Sequence, residues 1–143
     1  MTTFLLDVNV LVGLMLPGHN SHDVARSWFL AEGRQSWLTC PLTQNGAVRI
    51  CSLPQTTGRN IQVSQAASTL RQLLASGNHQ FIADSVSLLD PDAFDTELIR
   101  SPKQITDTYL LGLAAHHRAV LATFDRKLTS DSARNPHAEV LFL

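Results

Sequence analysis

Short apolar runs alternate along the chain with stretches whose apolar positions recur every three or four residues. Residues 3–8 predict a buried strand ending in a carboxylate, Asp7. Residues 9–16 are apolar enough for a first helical segment, stopped by Pro17 and Gly18. Ser21 is placed to cap a second helix that carries His22 and Asp23 in its first turn and runs through Trp28, Phe29 and Leu30 to Gly33. Residues 36–40 predict a second strand. Pro41 and Thr43 open a helix bearing Ala47, Val48, Ile50 and Cys51 that closes before Pro54.

Residues 63–76 form the clearest amphipathic helix, with Ala66, Ala67, Leu70, Leu73 and Leu74 on one face and Gly77 at its end. Residues 79–83 predict a third strand, and Pro91 a short helix reaching Leu98. Residues 106–117 predict a helix that is apolar nearly all round and therefore buried. Strands at 119–124 and 139–143 complete the pattern. Helices alternating with short apolar strands imply one α/β domain over residues 1–143, with a five-stranded parallel sheet and helices on both faces.

Composition narrows the class. Hydrophobic residues make up 44% of the 143 and charged residues 16%, which excludes a disordered tail or a coiled coil. The longest apolar run, residues 10–16, is far short of the roughly 20 residues of a membrane span. The opening lacks the basic segment of a secretory leader, so a cytoplasmic protein is expected. Cys40 and Cys51 make neither a disulfide framework nor a four-ligand zinc site. The net charge of −1 argues against a histone-like binder, but the charges are segregated. No carboxylate falls between Glu32 and Asp84, where Arg34, Arg49, Arg59 and Arg71 lie, and the acids gather later. That layout permits a basic groove beside an acidic pocket.

Three aspartates take equivalent places. Asp7 ends the first strand, Asp107 opens the buried helix, and Asp125 follows the fourth strand. Ligands of open parallel sheets bind at the carboxyl ends of strands. Carboxylates meeting there call for a hard cation with oxygen ligands, Mg²⁺ or Mn²⁺. Each aspartate alone is equally a helix cap, worth about 1 kcal/mol; the shared placement favours a metal.

These residues resemble a known family. Residues 5–12, with Asp7 and Asn9, are similar to the opening motif of PIN domains, and residues 39–49 to their second motif. Residues 105–111 and 121–126 resemble the third and fourth. Length and motif wording are most similar to the VapC toxins of bacterial toxin–antitoxin pairs. The resemblance implies a PIN-like three-layer domain and a Mg²⁺- or Mn²⁺-dependent endoribonuclease that leaves 5′-phosphate and 3′-hydroxyl ends. It makes Asp7, Asp107 and Asp125 the metal-binding acids and Asn9, Thr106 and Thr123 their hydrogen-bonding supports. It also implies a homodimer and a VapB-type antitoxin whose tail covers the groove.

The chain departs from the family in the second motif, where most members carry a glutamate. Its place falls at Gln44 or Gly46, and Gln44 is the only polar substitute of similar shape. A neutral amide removes one negative charge and weakens metal binding, so one loosely held ion is expected. Arg49 and Arg126 are candidates for substrate phosphate contacts, with looped RNA as the natural target. Trp28, Phe29, Leu30 and Trp37 offer apolar material for partner surfaces or for the core.

Other readings are weaker. A metal-free ribonuclease would need paired histidines, but His116 and His117 point about 100° apart on a helix. An aspartyl-phosphate phosphatase would want an acid where Asn9 stands, and a receiver domain an acidic pair that the first strand lacks. A PIN-like scaffold that binds RNA or a protein without cutting is the serious alternative, and Gln44 is its best argument.

Overall fold

A computed structural model describes residues 1–143. Its order is β1 (Phe4–Leu6), α1 (Val8–Met15), α2 (His22–Ala31), β2 (Trp37–Thr39), α3 (Pro41–Cys51), α4 (Pro54–Thr57), α5 (Val63–Leu74), β3 (His79–Phe81), α6 (Ile105–His116), β4 (Val120–Thr123) and β5 (Val140–Phe142). The five strands form one sheet in the order β3-β2-β1-β4-β5, every pair parallel. The expected five-stranded α/β fold is therefore present.

The central strands carry apolar residues on both faces because both faces are covered. Phe4, Leu6, Trp37 and Ala122 pack beneath α1, α3 and α5, with Val10, Leu11, Ala47, Ala66 and Leu70. Leu5, Leu38 and Leu121 face the other way, onto Leu110, Leu111, Leu113 and Ala114 of α6. This second contact explains why α6 is apolar all round. No helix is long and apolar enough to cross a membrane.

Two expectations need correction. The helix expected from Pro91 to Leu98 is a set of turns, with only a 3₁₀ turn at Thr96–Leu98. The Asp90 carboxylate accepts from the Asp92 N–H, which favours a turn over a helix start. Phe94 then bridges to Ala133 and sets its buried ring against Gly112 of α6. Of the four residues left open between a partner surface and the core, Phe29 and Trp37 are core, meeting edge to face at 5.1 Å, and only Leu30 is exposed. The segment closed by Pro54 also continues, since the proline opens the single turn α4.

The Phe94–Gly112 contact holds the long 82–104 connection against α6. Gly112→Ala places a methyl inside the Phe94 ring, and the overpacking is expected to destabilise the protein by about 1–3 kcal/mol. Urea denaturation of the variant checks this.

Candidate functional site

The carboxyl ends of β1 and β4 lie side by side, with Leu6 in register with Ala122. Asp7 follows β1 and is 3% exposed. One of its carboxylate oxygens accepts from the Val8 N–H at 2.7 Å and so caps α1. The other accepts from the Thr123 hydroxyl at 2.7 Å. Capping and site membership thus coincide in one residue.

Thr123 is the hub. Its Oγ1 accepts the Asp125 backbone N–H at 3.0 Å and the Asn9 side-chain amide at 3.4 Å. Its only proton is therefore committed to Asp7. The Asn9 carbonyl in turn accepts the Phe124 N–H at 3.2 Å, which fixes the amide's orientation. Asp125 accepts the Lys127 N–H, a tight turn that holds its carboxylate at the strand end.

Asp107 sits in the first turn of α6 and does not cap it; Gln104 occupies that place. Asp107 lines one cleft with Asp7 and lies within electrostatic reach of both Asp7 and Asp125. Burial, then the Asp7 and Asp125 charges, push Asp107 up to about 8, so it carries a proton at neutral pH. Burial raises Asp7 as well, against the Thr123 and Val8 hydrogen bonds. Asp125 is lowered, chiefly by its contact with Asp107 and the Lys127 N–H. The raised Asp107 and Asp7 carboxyls mark surplus negative charge at the strand ends.

The donors suit a hard divalent cation: three carboxylates and an amide, all oxygen ligands. In this arrangement the three carboxylates do not form a ready-made cluster for a metal ion. Asp7 and Asp107 open onto a cleft of about 260 Å³, lined also by Val8, Asn9, Val12, His19 and Ile50.

The other expected site residues lie elsewhere. Thr106 is exposed and makes no hydrogen bond to the acids. Gln44 donates to Thr39 Oγ1 at 2.9 Å, and Thr39 pairs with His79 Nε2 at 2.8 Å; it makes no hydrogen bond to the aspartates. Gly46, the other place for the absent glutamate, abuts Val8, and a Cβ there would stand 2.7 Å from the Val8 side chain. Arg126 is turned away, donating to the Leu143 carbonyl and lying 6.0 Å over the Phe142 ring. Arg49 is exposed on α3. His116 and His117 end α6, nine residues and about 14 Å of helix from Asp107. His19 is the residue missed by sequence reasoning. It follows the Pro17-Gly18 break, and nothing local to the sequence shows that this loop folds back over the acids.

A parallel α/β domain with acids gathered where its central strands end is the arrangement of a PIN-type nuclease. No family model matches the chain. Individual proteins do: it is 40% identical over 139 residues to ribonuclease VapC38 of Mycobacterium tuberculosis, covering 97% of this chain and 96% of that one. It is 40% identical over 124 residues to ribonuclease VapC44 of the same organism, covering 87% of each. The chain belongs to the VapC ribonuclease family, PIN-domain toxins of toxin–antitoxin systems. Among solved structures, the fold is similar to Mycobacterium tuberculosis VapC20, a sarcin–ricin loop cleaving toxin (TM-score 0.62, 11% identity, 85% of this chain and 89% of that). It is also similar to VapBC2 from Rickettsia felis bound to a promoter DNA fragment (TM-score 0.55, 14% identity, 99% of each chain).

Two measurements test the site. The raised Asp107 and Asp7 carboxyls release their protons more readily in the unfolded chain, near the ordinary carboxylate value. Metal-free protein should therefore lose stability as pH rises from about 4 to about 8, with Asp125 opposing only at the acid end. Denaturant midpoints across that range check the slope. Thr123→Val keeps the shape but strips Asp7 of its hydroxyl donor. It should cost about 1–3 kcal/mol, whereas Thr123→Ser should retain most of the stability.

Proposed function

We propose that this chain is a metal-dependent endoribonuclease whose divalent cation, Mg²⁺ or Mn²⁺, is held by Asp7, Asp107 and Asp125. The observation that carries the reading is the gathering of these acids: Thr123 ties the Asp7 carboxylate to the Asp125 backbone, and Asp7 and Asp107 line one cleft. Such an ion supplies Lewis-acid polarisation of a phosphate and acidifies water. The chain's own residues set the stage for it. Thr123 and the Val8 N–H hold the Asp7 carboxylate by both oxygens, so it does not rotate. Asn9 braces Thr123 and the Phe124 backbone, and through them the start of the turn that carries Asp125. Asp107 rides on a helix buried in the core and meets the other two acids from above the strand ends.

Hydrolysis by water breaks the bond between phosphorus and the 3′ oxygen, leaving 5′-phosphate and 3′-hydroxyl ends. The substrate is RNA, in keeping with the ribonuclease relatives, and the looped form suits an open cleft at the strand ends. The protein acts as a homodimer and is restrained by a VapB-type antitoxin that offers a cation to the acids. Gln44 serves the buried Thr39–His79 chain rather than the ion. The missing second-motif acid leaves the site with three carboxylates.

Purified protein is to be incubated with total bacterial RNA in Mg²⁺, Mn²⁺ or EDTA, alongside Asp7→Ala and Gln44→Glu. Discrete cuts with 5′-phosphate ends, lost in EDTA and in Asp7→Ala, are expected. Cyclic-phosphate ends that persist in EDTA would overturn the metal reading. Absence of cleavage with RNA binding intact would make the protein a scaffold. Gln44→Glu should leave metal affinity unchanged, because its side chain faces Thr39.

A further inference from the structure

His19 lines two hollows at once. One is the acid cleft with Asp7 and Asp107. The other, of about 100 Å³, is walled by Leu16, Pro17, Gly18, Thr56, Thr57 and Arg59. The two thus adjoin across a single imidazole, with acids lining one and Arg59 the other.

Local structure fixes what each residue can offer. The His19 backbone N–H donates to Leu16 and its carbonyl accepts from His22, which locks the loop after α1. His19 Nδ1 accepts the Ser21 N–H at 3.1 Å, so the neutral ring carries its proton on Nε2. Nε2 makes no hydrogen bond within the protein. His22 differs: its Nδ1 donates to the Gly13 carbonyl at 2.8 Å and serves only to latch the loop to α1. On the far wall, Thr57 Oγ1 accepts the Arg59 N–H and donates to the Arg59 carbonyl. Gly58, at φ +68°, turns the chain in the left-handed region and presents Arg59. The two ion pairs of the chain are Arg100–Asp131 and Arg134–Asp95, so Arg59 has no acid partner. None lies near it in sequence, because residues 33–83 hold no carboxylate. The Thr56 hydroxyl also makes no hydrogen bond in the protein. A cation without an acid partner, a hydroxyl and an imidazole N–H without protein hydrogen bonds therefore line a small hollow that has no carboxylate in its wall.

We propose that His19, Thr56 and Arg59 form a phosphate subsite that holds the backbone phosphate next to the one at the acid cleft, in a single RNA strand lying across both hollows. The assignment rests on the ribonuclease reading for its substrate. These groups suit the singly charged phosphodiester of a strand backbone, which they would hold without reading bases.

The test separates the subsite from the hydrolysis. Asp7→Asn protein, which holds RNA uncut, is titrated with fluorescein-labelled oligouridylate, and the oligonucleotide is also made with single methylphosphonate linkages at successive positions. Arg59→Ala in this background should weaken binding about fivefold to tenfold and lower the salt slope by about 0.7. One methylphosphonate position that weakens binding to the parent should no longer matter in Arg59→Ala. His19→Asn keeps the acceptor for Ser21 but lacks the distal donor, and should lose binding similarly. His19→Gln restores a donor near Nε2 and should recover most of it. In the cleaving protein, Arg59→Ala should raise KM and leave kcat within about twofold. Unchanged affinity, salt slope and methylphosphonate pattern in Arg59→Ala and His19→Asn, with cleavage intact, would overturn the subsite alone. Arg59-dependent binding without cleavage under any metal would overturn the hydrolytic reading and leave the subsite standing. Absence of RNA binding by the parent would overturn both.

Discussion

Three acidic side chains crowded at the ends of β1 and β4 and the start of α6 are the constraint on which this structure turns. Repulsion among them is opposed by fixed donors and by one retained proton. The donors exist only because β1 and β4 pair in one register. Leu6 opposite Ala122 brings Asp7 beside Thr123, and a slip of one residue would turn the Thr123 hydroxyl to the other face of the sheet. Sheet register, helix cap and acid site are therefore a single geometric condition.

The third acid arrives by a different route. Asp107 has no capping duty, and its position is set by how α6 packs. The helix is pinned by Leu110, Leu111 and Leu113 against Leu5, Leu38 and Leu121, and from outside by Phe94 over Gly112. Apolar packing on one face of the sheet thus decides where a charge sits at its edge. On the other face, the acid-free stretch from Gly33 to Ala83 keeps α3, α4 and α5 clear of negative charge, so Arg59 stays unpaired beside the cleft.

The strands, α5 and α6 were legible because their signals are local: apolar runs of strand length, or one apolar face at helical spacing. Asp7, Asp107 and Asp125 were legible as a set because strand ends in a parallel sheet converge whatever the details. Other features depended on side-chain direction, which residue type does not carry. Gln44 has the right shape for an acid's substitute, yet its helix turns it toward Thr39 and His79. Thr106 adjoins Asp107 in sequence but stands on the solvent side of the first turn. Arg126 follows Asp125 and is drawn to β5 by the Leu143 carbonyl and the Phe142 ring. The segment after Pro91 read as a helix because proline suits a first turn, whereas burying Phe94 against Gly112 required an irregular path. His19 was invisible for the complementary reason: its partners lie in elements distant along the chain.

Crowding the acids has a consequence for heredity. Without a bound ion, the raised Asp107 carboxyl costs the folded state stability at neutral pH, so an amide in its place relieves that cost while removing one of the three acids assigned to the proposed ion. Mutations that silence the protein at this position leave a sound fold behind. Silenced copies would persist as well-folded molecules, still able to engage whatever recognises the intact surface. A gene of this kind can be disarmed without being discarded.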